Sequence, residues 1–178
     1  MDSHINRIFS QEIFLYNLAY GTIENTPILK NFLFNWPIYD FKQNSFIFLL
    51  NPWSQHLDNP YILLIGYLVF AVAIFGIIRA FIKKEKESIA IFSIFLVSII
   101  ILMNASFPFN LIFNFFRENI SLVKEGLRTP YTKFSILMMF SLSVFFGVAI
   151  KSILERLNAN NSIKYGKLIL VTTIITFL

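Results

Sequence analysis

The sequence predicts an all-α fold, a polytopic bundle of transmembrane helices with amphipathic helices at the membrane interface. Three observations carry that expectation. Hydrophobic residues make up 56% of the 178-residue chain, charged residues only 14%, and the mean hydropathy is +0.66, a balance foreign to ordinary soluble domains. Uncharged runs approaching the thickness of a bilayer recur after residue 59. The cations gather at the ends of those runs and leave their middles free, as spanning helices require.

Residues 1–59 form the first expected unit, an outward-facing loop region with short interfacial helices. Ile5, Ile8, Phe9, Ile13 and Tyr16 follow helical spacing along one weak apolar face. Gly21 and Thr22 end that pattern, Pro27 opens a short apolar piece, and Pro37 closes it. No run here is long enough to span. Trp36, Tyr39, Trp53 and Tyr61 are residue types that settle at head-group level. The alternative, that Ile28 to Leu50 dips into the bilayer, meets Asp40 and Lys42 on its path.

Residues 60–178 form the second unit. Tyr61 to Ile78 is an uncharged run opened by Pro60, which suits a first helical turn, and closed by Arg79, Lys83, Lys84 and Lys86; the first span is expected at about 60–82. The second, shorter, is expected at 88–105. A helix at 106–118 follows, with Phe109, Ile112, Phe113 and Phe116 on one face and Asn110, Asn114 and Arg117 on the other. Ser106 is placed to cap it and Pro108 to sit in its first turn. Such a helix either lies in the interface plane or packs on other protein with the same stripe. Residues 119–133 read as a polar loop, 134–150 as the third span, and 151–167 as another polar loop. In the third span Ser141, Ser143 and Gly147 are small enough to admit a neighbouring helix. Leu168 to Leu178 starts a fourth span; eleven helical residues cover about 16 Å, roughly half the hydrocarbon thickness, so the expectation is a fragment of a longer protein.

Orientation follows the cations. Of 15 Lys and Arg, 3 fall in residues 1–59, 4 in 79–88, 4 in 104–133 and 4 in 151–167. Per residue, the second and fourth groups are densest, which puts them in the cytoplasm and residues 1–59 and 104–133 outside.

Several chemistries are excluded. With no Cys there is no disulfide, thiol nucleophile or Cys-based metal site. His4 and His56 are far apart, and six Gly leave no phosphate-cradling loop. The net charge of +5 is not arranged as a basic, aromatic-interleaved soluble surface, so no nucleic-acid partner is expected. No cofactor or metal is implied, and no carboxylate is singled out as catalytic. Asn104-Ala-Ser106, Asn119-Ile-Ser121 and Asn160-Asn-Ser162 fit the N-glycosylation pattern, which matters only in a host that glycosylates.

The candidate binding residues are Arg128, Lys133 and Arg117. Arg128 and Lys133 bracket Pro130 at the mouth of an apolar run, where cations suit a phosphate or an anionic head group. Equally, they suit ordinary helix-end anchors. The sequence Phe107-Pro108-Phe109, then Phe113 to Phe116, then Arg128-Thr-Pro-Tyr-Thr-Lys133-Phe134 leading into a span, resembles a feature of YfhO-type proteins and related GT-C class integral membrane glycosyltransferases. There a surface helix precedes an Arg-x-Pro-x-(Lys/Arg)-Phe turn; here one extra residue separates Pro130 from Lys133.

The resemblance implies a plasma-membrane enzyme that moves a sugar from a polyprenyl-phosphate carrier at the outer face. Arg128 and Lys133 would hold the phosphate, and Phe109, Phe113 and Phe116 would lie along the lipid tail. No residue matches the family's catalytic carboxylate, so none is assigned. The alternative is a non-catalytic scaffold or assembly subunit, whose partners are lipid and further transmembrane helices. A transporter piece is disfavoured, because no span carries an ionisable residue at its middle.

Overall fold

The computed structural model describes residues 20–30, 37–48, 58–127 and 130–159. Five helices and one hairpin are present among them. The helices are α1 (Pro60–Lys83), α2 (Lys86–Leu102), α3 (Phe109–Asn119), α4 (Ser121–Gly126) and α5 (Pro130–Ala159), and the strands are β1 (Pro37–Asp40) and β2 (Ser45–Phe48).

Helix α1 forms because an unbroken apolar run follows a Pro at its first position and an Asn59 side chain that accepts from the Tyr61 N–H. It ends where Lys84 takes a left-handed conformation, φ 54°, and its N–H and that of Glu85 turn back to Phe81 and Ala80 carbonyls. Helix α2 stops at Leu102. There Asn104 donates its carboxamide to the Ile101 carbonyl, and Ser106 N–H bonds the Met103 carbonyl, a local competition that unravels helices.

Contacts fix the directions. Lys83 meets Glu155, so the C-terminal ends of α1 and α5 coincide. Tyr131 donates to the Leu102 carbonyl at 3.0 Å, so the end of α2 meets the start of α5. Helices α1 and α5 therefore run parallel and α2 antiparallel to both. Residues 79–88 and 151–159 share one end of this three-helix unit; residues 20–30, 102–106 and 126–131 share the other.

The helices meet along seams of small residues. Ala73, Gly76, Ile77 and Ala80 are buried on α1; Ser88, Phe95, Ser98 and Leu102 on α2; Tyr131, Ser135, Met138, Ser141, Phe145, Ala149 and Ser152 on α5. Their spacing of three and four is that of coiled-coil packing, with small residues letting backbones approach. At Gly76 the approach is closest. A Cβ there would lie 1.9 Å from the Phe145 carbonyl oxygen. Phe95 stacks edge-on to Phe145 in the same layer. Among the described helices none meets Ser143 or Gly147, part of the contact surface the sequence suggested: both are exposed, and a Cβ on Gly147 would have nothing within 4 Å. Of the three small residues expected there, only Ser141 is buried.

Two helices, α1 and α5, are long and apolar enough to cross a membrane. Only 17% and 28% of their apolar windows are buried, unlike the core helices of soluble domains. Where the second span was expected, 88–105, stands the 17-residue α2, about 25 Å long, which is not one of the two helices long and apolar enough to cross.

Three boundaries differ from expectation. Helix α5 starts at Pro130, not residue 134, and runs through Lys151 to Ala159. Its extra turns contain good helix formers and a carboxylate tied to Lys83. The loop expected at 119–133 contains α4 and the first turn of α5. Where short surface helices were expected before residue 59, residues 37–48 form an antiparallel hairpin, Pro37 opposite Phe48 and Asp40 opposite Ser45. Its turn is chemical. Asp40 accepts from Lys42 N–H, and Asn44 takes φ 50° and accepts from the Tyr39 hydroxyl. The expected fourth span, 168–178, lies outside the described residues.

Candidate functional site

The end of the unit carrying the sequence-predicted cations is built from four segments. Residues 21–30 fold into hydrogen-bonded turns, with the buried Thr26 hydroxyl donating to the Thr22 carbonyl at 2.8 Å. Lys30 pairs with Asp58 at 2.6 Å, and Tyr67 donates to the Glu24 carbonyl at 2.8 Å, so this strap is tied to α1. Gly21 is its anchor. Its carbonyl accepts from Ala105 N–H at 3.1 Å and from the Ser106 hydroxyl at 3.3 Å. A side chain on Gly21 would collide with the Tyr131 hydroxyl and the Asn104 carboxamide, at 2.8 and 2.9 Å. Tyr131, Asn104 and Gly21 thus form a polar junction closing this end. The sequence reading missed it. Asn104 at the end of an apolar run was its available signal, since a buried carboxamide needs partners.

The amphipathic helix is present, three residues later than its expected start. Ser106 does not cap it with its side chain, because that hydroxyl is spent on Gly21; its carbonyl accepts from Asn110 N–H at 2.9 Å. Pro108 precedes the first residue, Phe109. Leu111, Ile112, Phe115 and Phe116 are 42 to 62% exposed, whereas Asn110 and Arg117 are partly covered. Of the four apolar residues expected on one face, Ile112 and Phe116 are exposed, while Phe109 and Phe113 are half-buried. Burial pushes the Arg117 guanidinium below its ordinary range, though a guanidinium keeps its charge at neutral pH.

Lys133 stands at the start of α5, exposed, and donates to the Gly126 carbonyl at 2.9 Å. That bond satisfies the end of α4 and leaves two further donors on the ammonium. Arg128 lies outside the described residues. The structure therefore places Arg117 on α3 and Lys133 beyond α4, on one end of the unit.

The two ends differ in charge. The end of 79–88 and 151–159 carries six cations, Arg79, Lys83, Lys84, Lys86, Lys151 and Arg156, and three carboxylates. The described segments that share the other end carry four cations, Lys30, Arg117, Lys124 and Lys133, and four carboxylates, Glu24, Asp58, Glu118 and Glu125. Among the described residues no group of three or more His, Asp or Glu is placed to hold a metal. No family model, curated protein or solved structure matches this chain.

Proposed function

We propose that the chain is part of a polytopic integral membrane protein of the plasma membrane, in which α1, α2 and α5 cross the bilayer and α3 lies at its outer surface. Its function, in this reading, is that of a GT-C-like glycosyltransferase segment that holds a polyprenyl-phosphate-linked sugar. The observation that carries it is α3. An amphipathic helix with an uncovered Leu, Ile and Phe face leads through α4 to Lys133, at the less cationic end of the unit. Aromatic side chains there suit an isoprenoid tail, and Lys133 with Arg117 and Arg128 suits its phosphate. The catalytic carboxylate is not assigned to any residue.

The orientation is tested first. The chain has no Cys, so single cysteines at the exposed Lys124 on α4 and at Lys84 report the two ends cleanly. An impermeant maleimide is expected to label Lys124→Cys from outside and Lys84→Cys only after permeabilisation. The converse pattern removes the outer-face reading. The phosphate role is tested by replacing Arg128 and Lys133 with Gln and measuring binding of a polyprenyl-phosphate sugar, which is expected to fall about tenfold or more.

A second reading, a non-catalytic scaffold or assembly subunit, is favoured by a specific contact. Lys133 already serves the Gly126 carbonyl, as a helix-end anchor would. Unchanged binding in the double variant, with helicity retained, selects it.

A further inference from the structure

The end of α1 and α5 away from α3 contains two buried hydrogen-bond donors that find no acceptor among the described residues. They are the Nε of Arg79 and the Oγ of Ser152; Ser152 is 1% exposed. Two contacts fix the register there. Gly76 abuts Phe145 and Ala149 on one side, and Lys83 bonds Glu155 at 2.6 Å on the other. Between those contacts stand Arg79 on α1 and Lys151 and Ser152 on α5, at one level. Arg79 and Lys151 both lie within electrostatic reach of Glu155, but that carboxylate is hydrogen-bonded to Lys83.

We infer that this end of α1 and α5 binds the phosphodiester of an anionic membrane lipid, with Arg79, Ser152 and Lys151 as its donors. The inference rests on the membrane reading above. The Nε of a charged guanidinium buried without an acceptor costs more than a lone hydroxyl such as that of Ser98, and calls for an acceptor. A guanidinium and a hydroxyl backed by an ammonium are the donor set of a phosphate oxygen. Depth agrees. Arg79 lies one helical turn, about 6 Å, inside Lys83, where a long side chain reaches from apolar surroundings towards the head groups. The end as a whole has six cations against three carboxylates, the pattern that draws anionic lipid. This site is at the opposite end from Lys133 and owes nothing to the sugar-carrier proposal.

The test uses the full chain purified in neutral detergent and mixed with equal phosphatidylglycerol and phosphatidylcholine, with retained lipid read by native mass spectrometry. Phosphatidylglycerol is expected to be retained about tenfold over phosphatidylcholine. Arg79→Gln with Ser152→Ala should abolish that preference, and Arg79→Lys should weaken it, while Lys84→Gln with Lys86→Gln should leave it in place. Equal retention of the two lipids overturns the inference. So does equal loss in the Lys84 and Lys86 variant, which would mean diffuse surface charge. Displacement by millimolar inorganic phosphate would assign the donors to a free anion and overturn the lipid. A chain that stays soluble without detergent refutes the membrane reading itself, a result distinct from all of these.

Discussion

Replacing Gly76 with Ala probes the tightest approach at any described glycine. The added Cβ would lie 1.9 Å from the Phe145 carbonyl oxygen, 2.7 Å from its carbon and 3.2 Å from Ala149 N. An ordinary carbon–oxygen contact is about 3.3 Å, so α1 and α5 must separate by roughly 1.4 Å. The obstacle is backbone, which cannot rotate away, so the cost lies near the upper end of overpacking, about 3 kcal/mol. Ala is favoured over Gly in a helix by about 1 kcal/mol, leaving a net loss of about 2 kcal/mol. Gly147→Ala supplies the control. It gains the same propensity, and its Cβ meets nothing within 4 Å. Thermal unfolding in detergent, followed by circular dichroism, should show Gly76→Ala melting about 4–8 °C lower and Gly147→Ala unchanged or higher. If the two variants melt together, α1 and α5 do not pack in this register.

Other substitutions separate the contributions of individual contacts. Tyr131→Phe removes the buried bond to the Leu102 carbonyl and should cost about 1 kcal/mol, read by the same melt. Ser98→Ala removes a buried hydroxyl that has no partner, so it should be neutral or slightly stabilising. Gly21→Val should loosen the strap by driving apart Tyr131 and Asn104, detected as faster amide exchange at Ala105. Lys83→Gln should leave the melting midpoint nearly unchanged, because its partner Glu155 is exposed and surface pairs contribute little.

The apolar runs that became α1, α2 and the middle of α5 were legible because a long uncharged apolar run is itself the signal of such a helix. The amphipathic stripe of α3 was legible for the same kind of reason: Phe109, Ile112, Phe113 and Phe116 recur at helical spacing. What periodicity does not encode is partnership. Gly76 and Gly147 look alike in sequence, yet only Gly76 faces a neighbour, and that depends on the relative rotation of α1 and α5. The hairpin at 37–48 was hidden because its turn depends on side-chain bonds from Asp40 and Asn44 inside an aromatic stretch. The extension of α5 past Lys151 was hidden because a polar, helix-forming segment reads as loop until Glu155 finds Lys83. Of the candidate binding residues, Lys133 has a contact that spacing could not foresee, Arg117 is more covered than a surface stripe implies, and Arg128 lies outside the described residues.

The distribution of polarity argues most directly for a lipid environment. The three-helix core buries Ser88, Ser98, Ser135, Ser141 and Ser152, while Leu64, Ile65, Leu68 and Val69 on α1 and Ile136, Met139 and Phe140 on α5 are 47 to 57% exposed. A fully buried apolar side chain of this size contributes about 2 kcal/mol in water. Seven of them half exposed forfeit on the order of 7 kcal/mol, comparable with the whole stability of a typical domain, about 5–15 kcal/mol. In hydrocarbon the same exposure forfeits nothing, because lipid tails are as apolar as the side chains. Burying small hydroxylated residues then gains close backbone approach instead of losing hydrophobic burial. Fully polar substitutions on the exposed α1 face, Leu64→Gln with Leu68→Gln, discriminate the two solvents. They should raise solubility in water if that face meets water, and abolish membrane fractionation if it meets lipid.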